Sequence, residues 1–163
     1  MKKILRIVLI ITLIAATLLL SSCGMEKYSY DGFVFRLPKD MRQLNVTYAD
    51  FCYGNGECEF FVYSYTRDAI LVELFLDKDA KCSEYLDKFI AYNGYTGVDK
   101  SVDDENNTAT AKYIYEPEND FYYDYVLRNH DVLIHVTMTC SADLREKYEP
   151  DFDEWVEYIY LED

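Results

Sequence analysis

The sequence predicts an α+β domain: an antiparallel β-meander with two helices packed on one face. Three observations carry this. Residues 108–115, 121–127 and 132–139 are rich in β-branched and aromatic residues and are separated by turn-forming Pro117, Asn119, Asp120 and residues 129–131. Cys82, Tyr85, Leu86, Phe89 and Ile90 recur at three- and four-residue steps, the spacing of an amphipathic helix. Near the end, Phe152, Trp155, Val156 and Ile159 share one helical face, while Asp153, Glu154 and Glu157 take the other.

The remaining elements follow in order. Residues 32–37 read as a first strand, with Phe33 and Phe35 on one face and Pro38 as its stop. Residues 45–52 and 58–65 flank Gly54-Asn55-Gly56, a hairpin signal whose tip residues tolerate positive φ. Residues 70–76 form a mostly apolar run and read as another strand. The helix over 77–93 ends at Gly94. Residues 97–104 read as a weak strand before the turn at Glu105-Asn106-Asn107. Pro150 and Asp151 suit the start of the closing helix.

Ahead of this domain, Lys2, Lys3 and Arg6 precede an apolar run that ends in Leu20-Ser21-Ser22-Cys23. A basic tip, an apolar stretch and small residues make the layout of a secretory signal. With a cysteine in place of the usual small residue, it resembles a bacterial lipoprotein signal. The resemblance implies that the Cys23 thiol receives diacylglycerol and that cleavage before it leaves Cys23 as the first residue. Residues 1–22 are then the signal, 23–28 a lipidated cysteine and short tether, and 29–163 one domain. An uncleaved membrane-spanning helix is the competing reading, since the run is about long enough to cross a bilayer.

The first 22 residues hold three of the 16 basic side chains and none of the 30 acidic ones; the remaining 141 residues carry 13 positive and 30 negative side chains, a net charge of −17. That charge argues against nucleic acid as a partner and against electrostatic adhesion to anionic lipid. The membrane contact is therefore left to the acyl chains, on the extracytoplasmic face of the cell membrane. All 17 Tyr and 9 Phe lie beyond residue 22, too much aromatic content for a disordered segment.

The "GFVFRLP" opening, mid-chain helix, meander and closing helix together resemble the PsbP-like fold over residues 28–163. That fold is shared by a photosystem extrinsic protein, a nuclear import factor and DcrB-like bacterial lipoproteins. The resemblance implies no catalytic residues, and members that mostly bind or assist other proteins. The function expected is thus a non-catalytic binding or accessory module of the envelope, meeting a protein or glycan partner. The alternative is a small envelope hydrolase using carboxylates.

Beyond Cys23, the domain has Cys52, Cys58, Cys82 and Cys140. An even set outside the cytoplasm suggests disulfides. If Gly54-Asn55-Gly56 is a three-residue loop, Cys52 faces Cys58 at about 4.5–5.5 Å between Cα atoms. That leaves Cys82 with Cys140. Four buried free thiols are the competing reading.

No cofactor motif and no metal set is evident. His130 reads as a solvated turn residue and His135 as a sheet-face residue alternating with Leu133 and Thr137. Asp99, Asp103, Asp104 and Glu105 depart from the ligand order of a calcium loop and read as a solvated acidic turn. On the strand from 121, Tyr122, Asp124 and Val126 share a face, which Asp124 and Arg128 mark as the water-facing one. Tyr123 and Tyr125, with Tyr113 and Tyr115 of the neighbouring strand, then belong under the helices. Tyr122 becomes a candidate partner contact on the outer face.

Overall fold

The computed structural model describes residues 24–30, 32–128 and 131–162. Cys23 and His130, and the signal segment, lie outside the described residues. The fold is α+β, with two antiparallel sheets. The larger follows the order β3(Arg42–Gln43), β4(Phe51–Gly54), β5(Cys58–Thr66), β9(Val132–Ser141), β8(Asp120–Arg128), β7(Thr108–Tyr115), β6(Asp99–Asp103). The smaller joins β1(Met25–Tyr30), β2(Phe33–Pro38) and β10(Tyr160–Leu161). From Met25 onward, the expected tether is a strand paired with β2, Tyr28 opposite Phe35.

Side chains alternate across the large sheet, so each face has its own core. One face meets the small sheet and the last helix, α3(Arg145–Val156). Phe60, Phe121, Tyr123, Val136 and Met138 from the sheet pack there against Phe35, Leu37, Phe152 and Trp155. Burying each large apolar side chain contributes about 1.5–3 kcal/mol. The other face meets α2(Cys82–Asn93), where Cys82, Tyr85 and Leu86 cover Ala109, Ala111, Val126 and Leu133. The helices therefore lie on opposite faces, not on one. The aromatic content explains this: both the odd- and even-numbered residues of β8 include apolar side chains that need cover.

Helix α2 is set by its ends. Lys81 N–H donates to Glu84 at 2.8 Å, and Gly94 closes the helix at φ +69°, in the left-handed region that favours glycine. Residues 70–76 are not a strand. Thr66 Oγ1 accepts from Ala69 N at 3.3 Å and starts a short helix, α1(Arg67–Glu73). Ile70 is buried, Leu74 packs on the same core, and Leu71 and Val72 stay exposed. A short apolar run has no period that separates the two outcomes. Helix α3 starts at Arg145, after a 3₁₀ turn at Ala142–Leu144, and holds Pro150 in its interior. Arg145 Nε donates to Glu149 at 2.7 Å, one turn on, and supports the added turn.

The hairpin register overturns the expected disulfides. Gly54 lies opposite Glu59, so Cys52 faces Phe61 and not Cys58. Asn55 Oδ1 accepts from the backbone N–H of Glu57 and Cys58, at 3.0 and 3.1 Å, which builds a longer tip than three residues. Cys52 then points to the α2 face, while Cys58 points to the α3 face with Tyr53 and Phe60. Cys82 and Cys140 are likewise divided by the sheet, one in each core. All four are buried free thiols.

Candidate functional site

The cover that α2 provides is partial, and beside it the sheet face is open. Here β5 contributes Tyr63 and Tyr65, and β9 contributes His135 and Thr137. β7 adds Tyr113 and β8 adds Tyr122; Phe89 of α2 and Tyr95 just beyond it form the far wall. Together they enclose a cup of about 230 Å³. A wider groove of about 510 Å³ adjoins it, sharing Tyr65 and Phe89. That groove runs past Leu74, Phe75 and Leu76 to Lys88 and Tyr92. Phe75 and Tyr92 are 84% and 86% exposed, so a large aromatic surface continues out of the cleft.

The floor is a polar network sealed beneath the rings. Asp124 is 0% exposed and His135 1%. Asp124 Oδ1 lies 2.9 Å from His135 Nε2 and accepts from Thr137 Oγ1 at 2.7 Å; Oδ2 accepts from the Tyr113 hydroxyl at 2.8 Å. A carboxylate can only accept, so Nε2 carries a proton, and Nδ1 pairs with the Tyr85 hydroxyl at 2.9 Å. A buried carboxylate is tolerated when its lone pairs are met this completely. The register builds the network: Asp124 lies opposite Thr137, and His135 is its diagonal neighbour on the same face.

The rings above are ordered by one another. Tyr95 stacks on Tyr113 with centroids 4.4 Å apart, and Tyr113 on Tyr122 at 5.5 Å, with planes within 8°. Phe89 meets His135 edge-on at 4.7 Å. The Tyr122 hydroxyl donates to Glu118 at 3.0 Å on the rim. Burial, and to a lesser degree the Asp124 charge, pushes the phenols of Tyr63, Tyr85, Tyr95 and Tyr113 above their ordinary value. They remain neutral at physiological pH.

Tyr122 is half-buried in the cleft, beside Tyr113 and Tyr115, and directly opposite Tyr113. The expected grouping of Tyr113 and Tyr115 with Tyr123 and Tyr125 is thus corrected by the β7–β8 register. Asp124 itself does not meet water as expected; it is fully enclosed. Arg128 reaches the loop before α2, where Nη1 donates to the Ala80 carbonyl at 2.6 Å. Sequence reasoning missed Asp124 as a hub and Phe89 and Tyr95 as walls. A carboxylate inside a strand of aromatics was the available signal, but its partners needed the strand register.

The other candidates are engaged structurally. Burial pushes Cys52 and Cys140 up to about 11, and Cys58 and Cys82 up to about 12, so these thiols stay protonated and are poor nucleophiles. Asp103 accepts from the backbone N–H of Glu105 and Asn106 at 3.0 and 3.1 Å, and serves its own turn. Asp99 and Asp153 share a shallow recess with Lys112, which pairs with Asp153 at 2.8 Å. Among the described residues no group of His, Cys, Asp and Glu could hold a metal ion, and no helix is long and apolar enough to cross a membrane.

Comparison with solved structures identifies the fold. The solution structure of cyanobacterial PsbP (CyanoP) from Synechocystis sp. PCC 6803 matches with a TM-score of 0.59 at 14% identity, over 85% of this chain and 92% of that one. The crystal structure of PA94, a protein of unknown function from Pseudomonas aeruginosa, gives a TM-score of 0.43 at 12% identity, over 80% and 92%. The first shows a PsbP-like fold; the second is too distant to add to it. No protein-family model and no curated sequence matches the chain.

Proposed function

We propose that this chain is a lipid-anchored, extracytoplasmic binding or accessory module of the cell envelope, and that the aromatic cleft beside α2 is its binding surface. The lipoprotein-like signal ending at Cys23 supports the anchor and the compartment. The observation that carries the reading of the domain is the cleft: a concave, half-exposed set of rings over a floor held rigid by Asp124 and His135. Aromatic rings give large contact area at low entropy cost, the composition of a recognition surface.

The arrangement favours binding over hydrolysis. A general base needs a free lone pair within reach of substrate. Among the described residues His135 is the only histidine in the cleft, and both its ring nitrogens are engaged, with Tyr85 and Asp124. The Asp124 oxygens are engaged with three donors. The PsbP-like fold of the solved neighbour gives no catalytic residues to carry over.

Photo-crosslinking in intact cells tests the reading. A photoreactive residue at position 122 should give a discrete adduct with an envelope partner. The same residue at Tyr160, on the small sheet beyond the opposite face, should not. An adduct from 160 alone, or equal adducts from both, overturns the assignment of the cleft.

A further inference from the structure

We infer that the cup receives an organic cation: a quaternary ammonium, or a basic side chain presented on an apolar stem. The inference deepens the binding role proposed above by naming the ligand chemistry of that cleft.

Size comes first. At about 230 Å³, the cup falls below the range of drug-sized ligand sites and suits one side-chain-sized group. The adjoining apolar groove, continuous through Tyr65 and Phe89, is placed for the stem.

The polar inventory comes next. A sugar ring would need several free donors and acceptors. The floor hydroxyls of Tyr113 and Thr137 already donate to Asp124, both His135 nitrogens are engaged, and Tyr122 donates to Glu118. The Tyr65 and Tyr95 hydroxyls lie against those of Tyr85 and Tyr113. Beyond the Tyr63 hydroxyl, what remains is aromatic ring.

Charge decides among groups that need mainly aromatic contact. Among the described residues no Lys or Arg lines the cup, and Lys88 lies on the adjoining groove. Asp124 lies beneath its floor and Glu118 on its rim, and the domain as a whole is strongly acidic. The rings of Tyr63, Phe89, Tyr95 and Tyr122 line the same space, Tyr95 and Tyr122 each stacked on Tyr113, and add π-density to it. A cation whose charge is spread over methyl groups or a guanidinium gains from both without directional hydrogen bonds. An anion meets repulsion, and a neutral apolar group gains the contact area alone.

Calorimetric titration of the purified full chain tests this, with choline, its neutral carbon isostere, and a short peptide bearing one arginine between apolar residues. At least one cation should bind about tenfold more tightly than the neutral isostere. Tyr122→Leu and Phe89→Leu should each reduce that preference while leaving the unfolding midpoint of the apo-protein within a few degrees. Tighter choline binding assigns a free or headgroup ammonium; tighter peptide binding assigns a protein side chain. Equal affinity for the isostere, no binding of either cation, or a preference untouched by both variants overturns the inference. Loss of the crosslink at position 122 would instead remove the binding role itself, so the two failures are distinguishable.

Discussion

Asp124 and His135 meet across β8 and β9 at 2.9 Å, and neither reaches solvent. Their contact joins two strands and helix α2, because His135 continues to Tyr85. The hydrogen bonding of the floor and the position of the wall above it are therefore set together. Asp124→Ala leaves Tyr113, Thr137 and His135 without their acceptor. It should lower the unfolding free energy by about 1–3 kcal/mol or more, the cost of leaving buried hydrogen-bond donors without an acceptor. Urea unfolding measures this; a loss under 1 kcal/mol would mean the network is dispensable.

Glu149 gives a pH-dependent prediction. Arg145 chiefly, with help from Lys112, holds its carboxyl below the ordinary 4.5. A lowered folded pKa means that the contribution is full above the ordinary value and is lost as pH falls through the depressed one. Glu149→Gln should thus cost about 0.5–1 kcal/mol at pH 7. The gap between variant and wild type should close in acid. A gap that persists at pH 2 would assign the effect to packing.

The cysteines should behave as interior thiols. Iodoacetamide should label Cys52, Cys58, Cys82 and Cys140 slowly in the folded protein and fully in denaturant, since burial both hides them and holds them protonated. A non-reduced peptide map joining Cys52 to Cys58 would contradict the β4–β5 register.

Arg128 should act as a clamp on the loop before α2. Its guanidinium donates to the carbonyls of Lys78 and Ala80. Arg128→Ala should destabilise the protein by about 1.5–3 kcal/mol, the range for hydrogen bonds to a charged group. Amide exchange should rise first across residues 77–82.

Much of the fold was legible in the sequence, because its signals are local. The meander, the helix bounded by Gly94 and the closing amphipathic helix all follow from period and end residues. What was not legible depended on register or on contacts between distant segments. The hairpin tip turned on the side chain of Asn55, which moved Cys52 opposite Phe61. Residues 70–76 became helical because Thr66 capped them and Ile70 found a core. Tyr122 stands out in the sequence, but that Tyr113 and Tyr115 share its face follows only from the β7–β8 register. The burial of Asp124 is invisible in the sequence, because only pairing with β7 and β9 brings Tyr113, Thr137 and His135 to it.

The anchor is tested separately from the cleft. Cys23→Ser should leave an unprocessed precursor that incorporates no labelled fatty acid. Normal cleavage at the same bond, with unchanged membrane retention, would exclude the lipoprotein reading.

The central claim is that the α2 face recognises a partner, and comparative recovery from envelope extract measures it most directly. Wild type, Tyr122→Ala, Phe89→Ser and Tyr160→Ala are immobilised at equal amounts of folded protein. Recovery of the partner that crosslinks at position 122 should fall about tenfold or more for the two cleft variants, as expected of aromatic anchors at an interface centre, and stay at the wild-type level for Tyr160→Ala. Undiminished recovery with both cleft variants would contradict the account.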